Sequence, residues 1–126
     1  MSRRSVATDA APAAIGTYSQ AIAVDGMVFI SGQIPLHPAT MEMVAGDMRA
    51  HVVQVFDNLQ AVARAAGGDL DRIVKLTVYL TDLGDFGTVN EVMADRFSDP
   101  YPARAAVQVA ALPKGARVEV DAILRL

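Results

Sequence analysis

With 126 residues, 52% of them hydrophobic and 20% charged, the chain has the size and composition of one globular domain that needs no disulfide or metal staple. A formal charge of −3, from 11 basic and 14 acidic residues, with no basic cluster beyond Arg3-Arg4, argues against nucleic acid, whose phosphates require concentrated cations. The absence of cysteine removes thiolate nucleophiles and thiolate metal sites, and fits a reducing, cytoplasmic setting.

Ser2-Arg3-Arg4-Ser5 opens like a twin-arginine signal, but Ala7-Thr8-Asp9-Ala10 follows where an apolar run belongs. No stretch is long and apolar enough to span a bilayer. The small-residue segment Ala10–Gly16 reads as a loop closing on Tyr18. Strands are expected over Ser19–Val24 and Met27–Ser31, because Asp25-Gly26 between apolar runs is a strong hairpin signal. Pro35 and Pro38 then force a loop or edge.

Asp47 is placed to cap a long helix. Met48, Val52, Val55, Phe56, Leu59, Val62, Ala63 and Ala66 keep helical spacing, and Gly67-Gly68 ends it. Ile73–Thr81 alternates as a strand: Val74, Leu76, Val78 and Leu80 are expected beneath the helices. Ile73, Lys75, Thr77, Tyr79 and Thr81 then form an amphipathic outer face suited to another subunit. Asp85 is expected to cap a second helix whose inward stripe is Phe86, Val89, Met93 and Phe97, with Asn90 on or beside it. Strands Arg104–Ala110 and Arg117–Leu126 close the chain around Leu112–Ala116. The order ββ-α-β-α-ββ predicts an α+β fold in two layers, with both helices on one face of the sheet and residues 1–126 forming a single domain.

Arg104 is the outstanding polar residue, a guanidinium in a strand of small apolar residues, and Glu119 is a second intrusion in the next strand. Buried, such a cation needs a carboxylate, either internal or from a ligand, and its planar fork suits that group. A hairpin of the last two strands would leave the pair about 16 Å apart at 3.3 Å per residue. Sharing a small substrate then requires separated strands or a subunit boundary. Each polar residue also fits a structural role: an ion pair for Arg104 and Glu119, loop packing for Tyr18, a satisfied strand end for Ser31, a backbone-bonded Asn90. His37 and His51 fit loop and exposed-helix roles, with no ligand cluster around them.

Ile15-Gly16-Thr17-Tyr18-Ser19-Gln20-Ala21, Ser31-Gly32-Gln33-Ile34-Pro35, Asn58-Leu59, Phe86 with Val89-Asn90, Pro102-Ala103-Arg104, and Leu112-Pro113-Lys114-Gly115-Ala116 with Val118-Glu119 together resemble the RidA/YjgF family over nearly the whole chain. The resemblance implies a chorismate-mutase-like subunit, a homotrimer with intersubunit sites, and a final strand inserted within the sheet. It also implies an enamine/imine deaminase, a hydrolase that converts small 2-aminoacrylate- or 2-iminobutyrate-type acids into 2-oxo acids and ammonia without metal or cofactor. By motif, Arg104 would hold the substrate carboxylate, while Tyr18, Ser31 and Asn90 would line the cleft. Gly32 would allow close backbone approach, Glu119 would position water, and the Ala106 backbone N–H would be a further donor. Thr17, His37, Met41 and Ala106 depart from the commoner Pro, Asp, Gly and Cys. Competing readings are a related deaminase of a catabolic aminoacrylate or aminomuconate, a non-catalytic trimer binding small carboxylates, and an endoribonuclease or translation inhibitor, which the acidic balance disfavours.

Overall fold

The structure is a computed structural model and describes residues 2–126. Its elements are β1 (Arg4–Val6), β2 (Ala21–Val24), β3 (Met27–Gln33), α1 (Met48–Ala65), β4 (Ile73–Leu80), α2 (Phe86–Arg96), β5 (Ala103–Gln108) and β6 (Val118–Arg125). The strands form one mixed sheet in the order β1-β2-β3-β6-β4-β5.

Local chemistry explains most of these elements. Asp25 and Gly26 turn β2 into β3 with φ of 53° and 78°, the left-handed pair that matches the twist of a two-residue hairpin. The Asp47 carboxylate accepts the Ala50 N–H at 3.0 Å and caps α1. Every apolar position assigned to the inner face of α1 is buried. Each large side chain so buried contributes roughly 1.5–3 kcal/mol. Phe97 meets Phe56 edge to face at 5.6 Å and closes the core beneath α2.

Five expectations need correction. The expected order omits β1, which pairs Arg4–Val6 with β2; only Val6 of it is buried, so no alternation marks it. At the start of β4 the register with β6 shifts between Ile73 and Lys75. Ile73 therefore turns inward and Val74 is 47% exposed. Asp85 occupies the cap position of α2 without a side-chain cap bond, and Asp82 instead bonds Gly84 N–H at 2.8 Å in the preceding turn. His51 is half-buried on α1, its Nδ1 is buried without a partner, and burial, then Arg117, lowers its pKa.

The last two strands are not a hairpin. β6 lies between β3 and β4 and runs antiparallel to both, while β5 lies outside β4 and parallel to it. Val118, Val120, Ala122 and Leu124 are all buried, which is what a central strand requires of its covered face. A parallel β4–β5 pair needs a crossover, and α2 supplies it.

Candidate active site

Three segments meet beside the start of β6. β3 is irregular where it pairs with β6: Ile30 opposes Ala122 but Gln33 opposes Val120, so Ser31-Gly32 carries an extra residue. A bulge of this kind re-aims side chains and is common next to functional sites. Here it opens room for Glu119. A Cβ built on Gly32 would overlap the Glu119 carboxylate, so a larger residue here would displace that side chain. Ser31 Oγ donates to Ser19 C=O at 2.6 Å, and Ser31 N–H donates to Gln20 C=O at 3.0 Å.

The preceding loop is held from beneath by Gln20. This buried amide accepts Thr8 N–H at 2.7 Å and donates to Thr8, Ala11 and Pro12 carbonyls. A fully satisfied buried amide specifies one loop conformation. Tyr18 follows at 54% exposure, its hydroxyl accepting a long 3.4 Å bond from Ile15 N–H. Opposite, Asn58 donates to Ile34 C=O at 3.3 Å and to Leu36 C=O at 3.0 Å, and ties the segment after β3 to α1.

The result is a cleft of about 650 Å³. Tyr18, Ser31, Gly32 and Glu119 line it together, with Met41 and Lys114 entering from two further loops. Glu119 is half-buried, and burial, reinforced by neighbouring Asp121, raises its carboxyl pKa. Such a carboxylate is a better proton acceptor than an exposed one. Asp121 itself accepts the Tyr79 hydroxyl at 3.0 Å, which raises the Tyr79 pKa, chiefly through that bond.

Arg104 lies elsewhere. It does not sit in a buried strand, since β5 is the sheet edge and Arg104 is exposed. Its Nη1 donates to Asn90 Oδ1, its guanidinium carbon stands 4.7 Å from the Phe86 ring centroid, and Met93 Sδ is 3.5 Å away. Among the described residues no carboxylate forms an ion pair with it. Asn90 is exposed at the edge of the α2 stripe, and it borders a hollow with Tyr101, Pro102 and Arg104. The stacked ring and the amide fix the orientation of the guanidinium without neutralising it.

Register places the two groups on opposite faces. Arg104 opposes Leu76, which points to the helices; Glu119 opposes Tyr79, which points to the open face. They are three residues of β4 and two strand spacings apart, about 14 Å between backbones at 3.3 Å per residue and 4.8 Å per strand. Ala106 is on the Arg104 face opposite Val78, half-buried against the core. One protomer thus brings Tyr18, Ser31, Gly32 and Glu119 together, sets Arg104 with Asn90, and keeps the groups apart. Reasoning from sequence did not assign Gln20, Met41 or Lys114 to the site. A lone amide among apolar residues was the available signal for Gln20.

The sequence matches the family model described as Endoribonuclease L-PSP over residues 8–125. Protein DfrA of Myxococcus xanthus is 56% identical over 125 residues, covering 98% of this chain and 95% of that protein. The 2-iminobutanoate/2-iminopropanoate deaminase of Rattus norvegicus is 49% identical over 121 residues, covering 96% and 88%. The crystal structure of RidA from an Antarctic Psychrobacter superposes with a TM-score of 0.94 at 54% identity, covering 98% of this chain and 99% of that one. That agreement extends to the mixed sheet and its two helices, and the chain belongs to the RidA/YjgF family.

Proposed function

We propose that this protein is an enamine/imine deaminase that hydrolyses small 2-imino acids, and that its site forms between protomers of a homotrimer. The observation carrying this reading is the opposed placement of Arg104 and Glu119, each prepared for a ligand that the other cannot reach within one protomer. The exposed apolar residues Phe29 on β3 and Val107 on β5 support an open face covered by a second copy. The 49% identical rat protein named for this reaction supports the chemistry.

In the reaction, an enamine first takes a proton at carbon to become the imine. The Arg104 fork holds the substrate carboxylate with two charge-assisted hydrogen bonds. Glu119 of the adjoining protomer accepts a proton from water as the water oxygen bonds to the imine carbon. The same carboxyl returns that proton to nitrogen. A second proton passes from the new hydroxyl to nitrogen as the C–N bond breaks, leaving ammonia and a 2-oxo acid, so one imine and one water are consumed. Tyr18 and Ser31 border the reacting centre, and the Ala106 backbone N–H is a further donor. Holding the carboxylate and the water in place contributes much of the acceleration, and the Glu119 proton transfer adds about 10²–10⁴-fold.

The test couples the purified protein to a threonine or serine dehydratase and follows 2-oxo acid formation. Acceleration over the uncatalysed rate is expected for wild type and not for Arg104→Ala. No acceleration by a correctly assembled wild-type protein overturns the reading.

A further inference from the structure

Three ionisable side chains meet at the centre of the open sheet face, and of these only Glu119 lines the cleft. Glu119 and Asp121 alternate with the buried Val118, Val120 and Ala122 along β6, so both project from that face. They stand about 7 Å apart at 3.3 Å per residue. Tyr79 on β4 opposes Glu119, and Thr77 opposes Asp121. A diagonal neighbour across two antiparallel strands lies within reach of an aromatic side chain. Tyr79 takes that diagonal, and its hydroxyl donates to Asp121 Oδ2 at 3.0 Å. All three side chains are half-buried.

This choice of partner decides the surroundings of Glu119. Tyr79 is its direct opposite, close enough for the Glu119 charge to act on the phenol, yet the phenol hydrogen is committed to Asp121. Among the described residues no hydrogen bond acts on the Glu119 carboxyl; burial raises its pKa, and then the Asp121 charge. A donated hydrogen bond favours the ionised form and makes a carboxylate a poorer base. Asp121 therefore acts twice, as a like charge and as the acceptor that draws the hydroxyl away. Lys75 and Arg125 lie further along the same face of β4 and β6, and Tyr18 and Lys114 face Glu119 from the cleft loops. In the assembly proposed above, Arg104 of an adjoining protomer approaches as well. β3 presents no titratable group to this face, and β5 presents only alanines and Val107.

We infer that Asp121 is a positioning residue for the proton transfer at Glu119: by holding the Tyr79 hydroxyl, it leaves the Glu119 carboxylate without a donor and ready to take a proton from water. Neither Asp121 nor Tyr79 exchanges a proton with the substrate. This rests on the deaminase reading above and adds a residue to that site.

The experiment records pH profiles of kcat and kcat/KM on the 2-imino acid generated in situ from alanine by excess amino-acid oxidase, with the uncatalysed rate subtracted. Wild type is compared with Asp121→Ala, Asp121→Asn and the double variant Asp121→Ala with Tyr79→Phe, each checked for Tm and for assembly by light scattering. In Asp121→Ala the acid limb of kcat/KM should move to lower pH, because the like charge is gone and the freed hydroxyl donates to Glu119. Its plateau kcat should fall about three- to tenfold, as a weaker base takes the proton less readily. Removing that hydroxyl should restore kcat in the double variant by at least about twofold over Asp121→Ala. A residue needed only for packing gives the reverse, since the second substitution removes more contact. Asp121→Asn keeps the shape and an acceptor for Tyr79 but not the charge, so its limb should move the same way by less; it replaces Asp121→Ala if the latter does not assemble. A wild type without acceleration overturns the deaminase reading, and this inference with it. An active wild type with the acid limb unmoved in an assembled Asp121 variant, or with the double variant no faster than Asp121→Ala, overturns the Asp121 assignment alone.

Discussion

The cleft at Glu119 and the hollow at Arg104 are built by opposite strategies. Glu119 stands on a strand paired on both sides, beside a bulge whose glycine makes room for its carboxylate, with Gln20 and Asn58 pinning the flanking loops. Arg104 stands on an edge strand and is held by one amide and one ring. The first group is shaped by the centre of the fold, the second by its margin. Glu119 is thus positioned by packing and Arg104 by electrostatic contacts. Substitutions at the two places should therefore separate stability from activity in different ways.

Arg104→Ala tests the margin most severely. Two charge-assisted hydrogen bonds at about 1.5–3 kcal/mol each correspond to roughly 10²–10⁴-fold in kcat/KM. Thermal stability should barely move, because the side chain is exposed and makes no ion pair. Arg104→Lys should recover only part of the loss, since an ammonium lacks the fork. Steady-state kinetics beside a melting curve checks both statements. A loss that tracks lowered Tm would make Arg104 a structural residue.

Glu119→Gln should lower kcat by about 10²-fold, the lower end for general acid–base assistance, because the amide still orients water. Its stability effect runs the other way. Burial raises the folded pKa above the ordinary 4.5. Between 4.5 and that raised value, the folded chain binds more protons than the unfolded one, so stability falls as pH rises through the window. At neutral pH the variant should be more stable than wild type, and the gain should vanish below the ordinary carboxyl pKa. Urea melts across pH measure this. A destabilised Glu119→Gln at pH 7 would mean that the carboxylate is serving the fold.

Gly32→Ala couples the two properties. The new methyl meets the Glu119 side chain, whose flexible end must move aside into the cleft, so the stability cost should stay near the low end for overpacking, about 1 kcal/mol. Activity should fall at least about tenfold, because a shift of an ångström in a catalytic group is expensive. Restored activity in Gly32→Ala with Glu119→Asp, where the shorter acid leaves space, would confirm the contact.

The same contrast explains what could be read in the sequence. Helix α1 was legible from cap to terminating glycines because its apolar residues repeat over eighteen residues, which no other element can imitate. The β2–β3 hairpin was legible because Asp25-Gly26 is local chemistry. The neighbours of β6 were not, since strand order is a long-range fact that alternation does not encode; only the family resemblance implied an inserted last strand. Nor was the edge position of β5, whose alanines look the same to either face. The bulges at Ser31-Gly32 and Val74 were hidden because each depends on the partner strand. Arg104 and Glu119 were visible as residues, but their opposite faces became visible only with the register.

Asp69 supplies the smallest and cleanest control for Glu119. It is a carboxylate between α1 and β4, outside both regions, and Gln60 Nε2, Arg64 Nε and Leu70 N–H donate to it at 2.9, 2.9 and 2.7 Å. These partners, the Gln60 bond foremost, lower its pKa from 3.8 to about 2. Here the unfolded chain binds more protons between those values, so the stabilisation is full above 3.8 and disappears as pH falls toward 2. The group is near the surface, where solvent screening limits such interactions to about 1 kcal/mol or less. Asp69→Asn should thus lower stability slightly at pH 7, converge with wild type in acid, and leave kcat/KM untouched. The pH slope should be opposite in sign to that of Glu119→Gln, because one carboxylate is held by donors and the other is deprived of water beside a second acid.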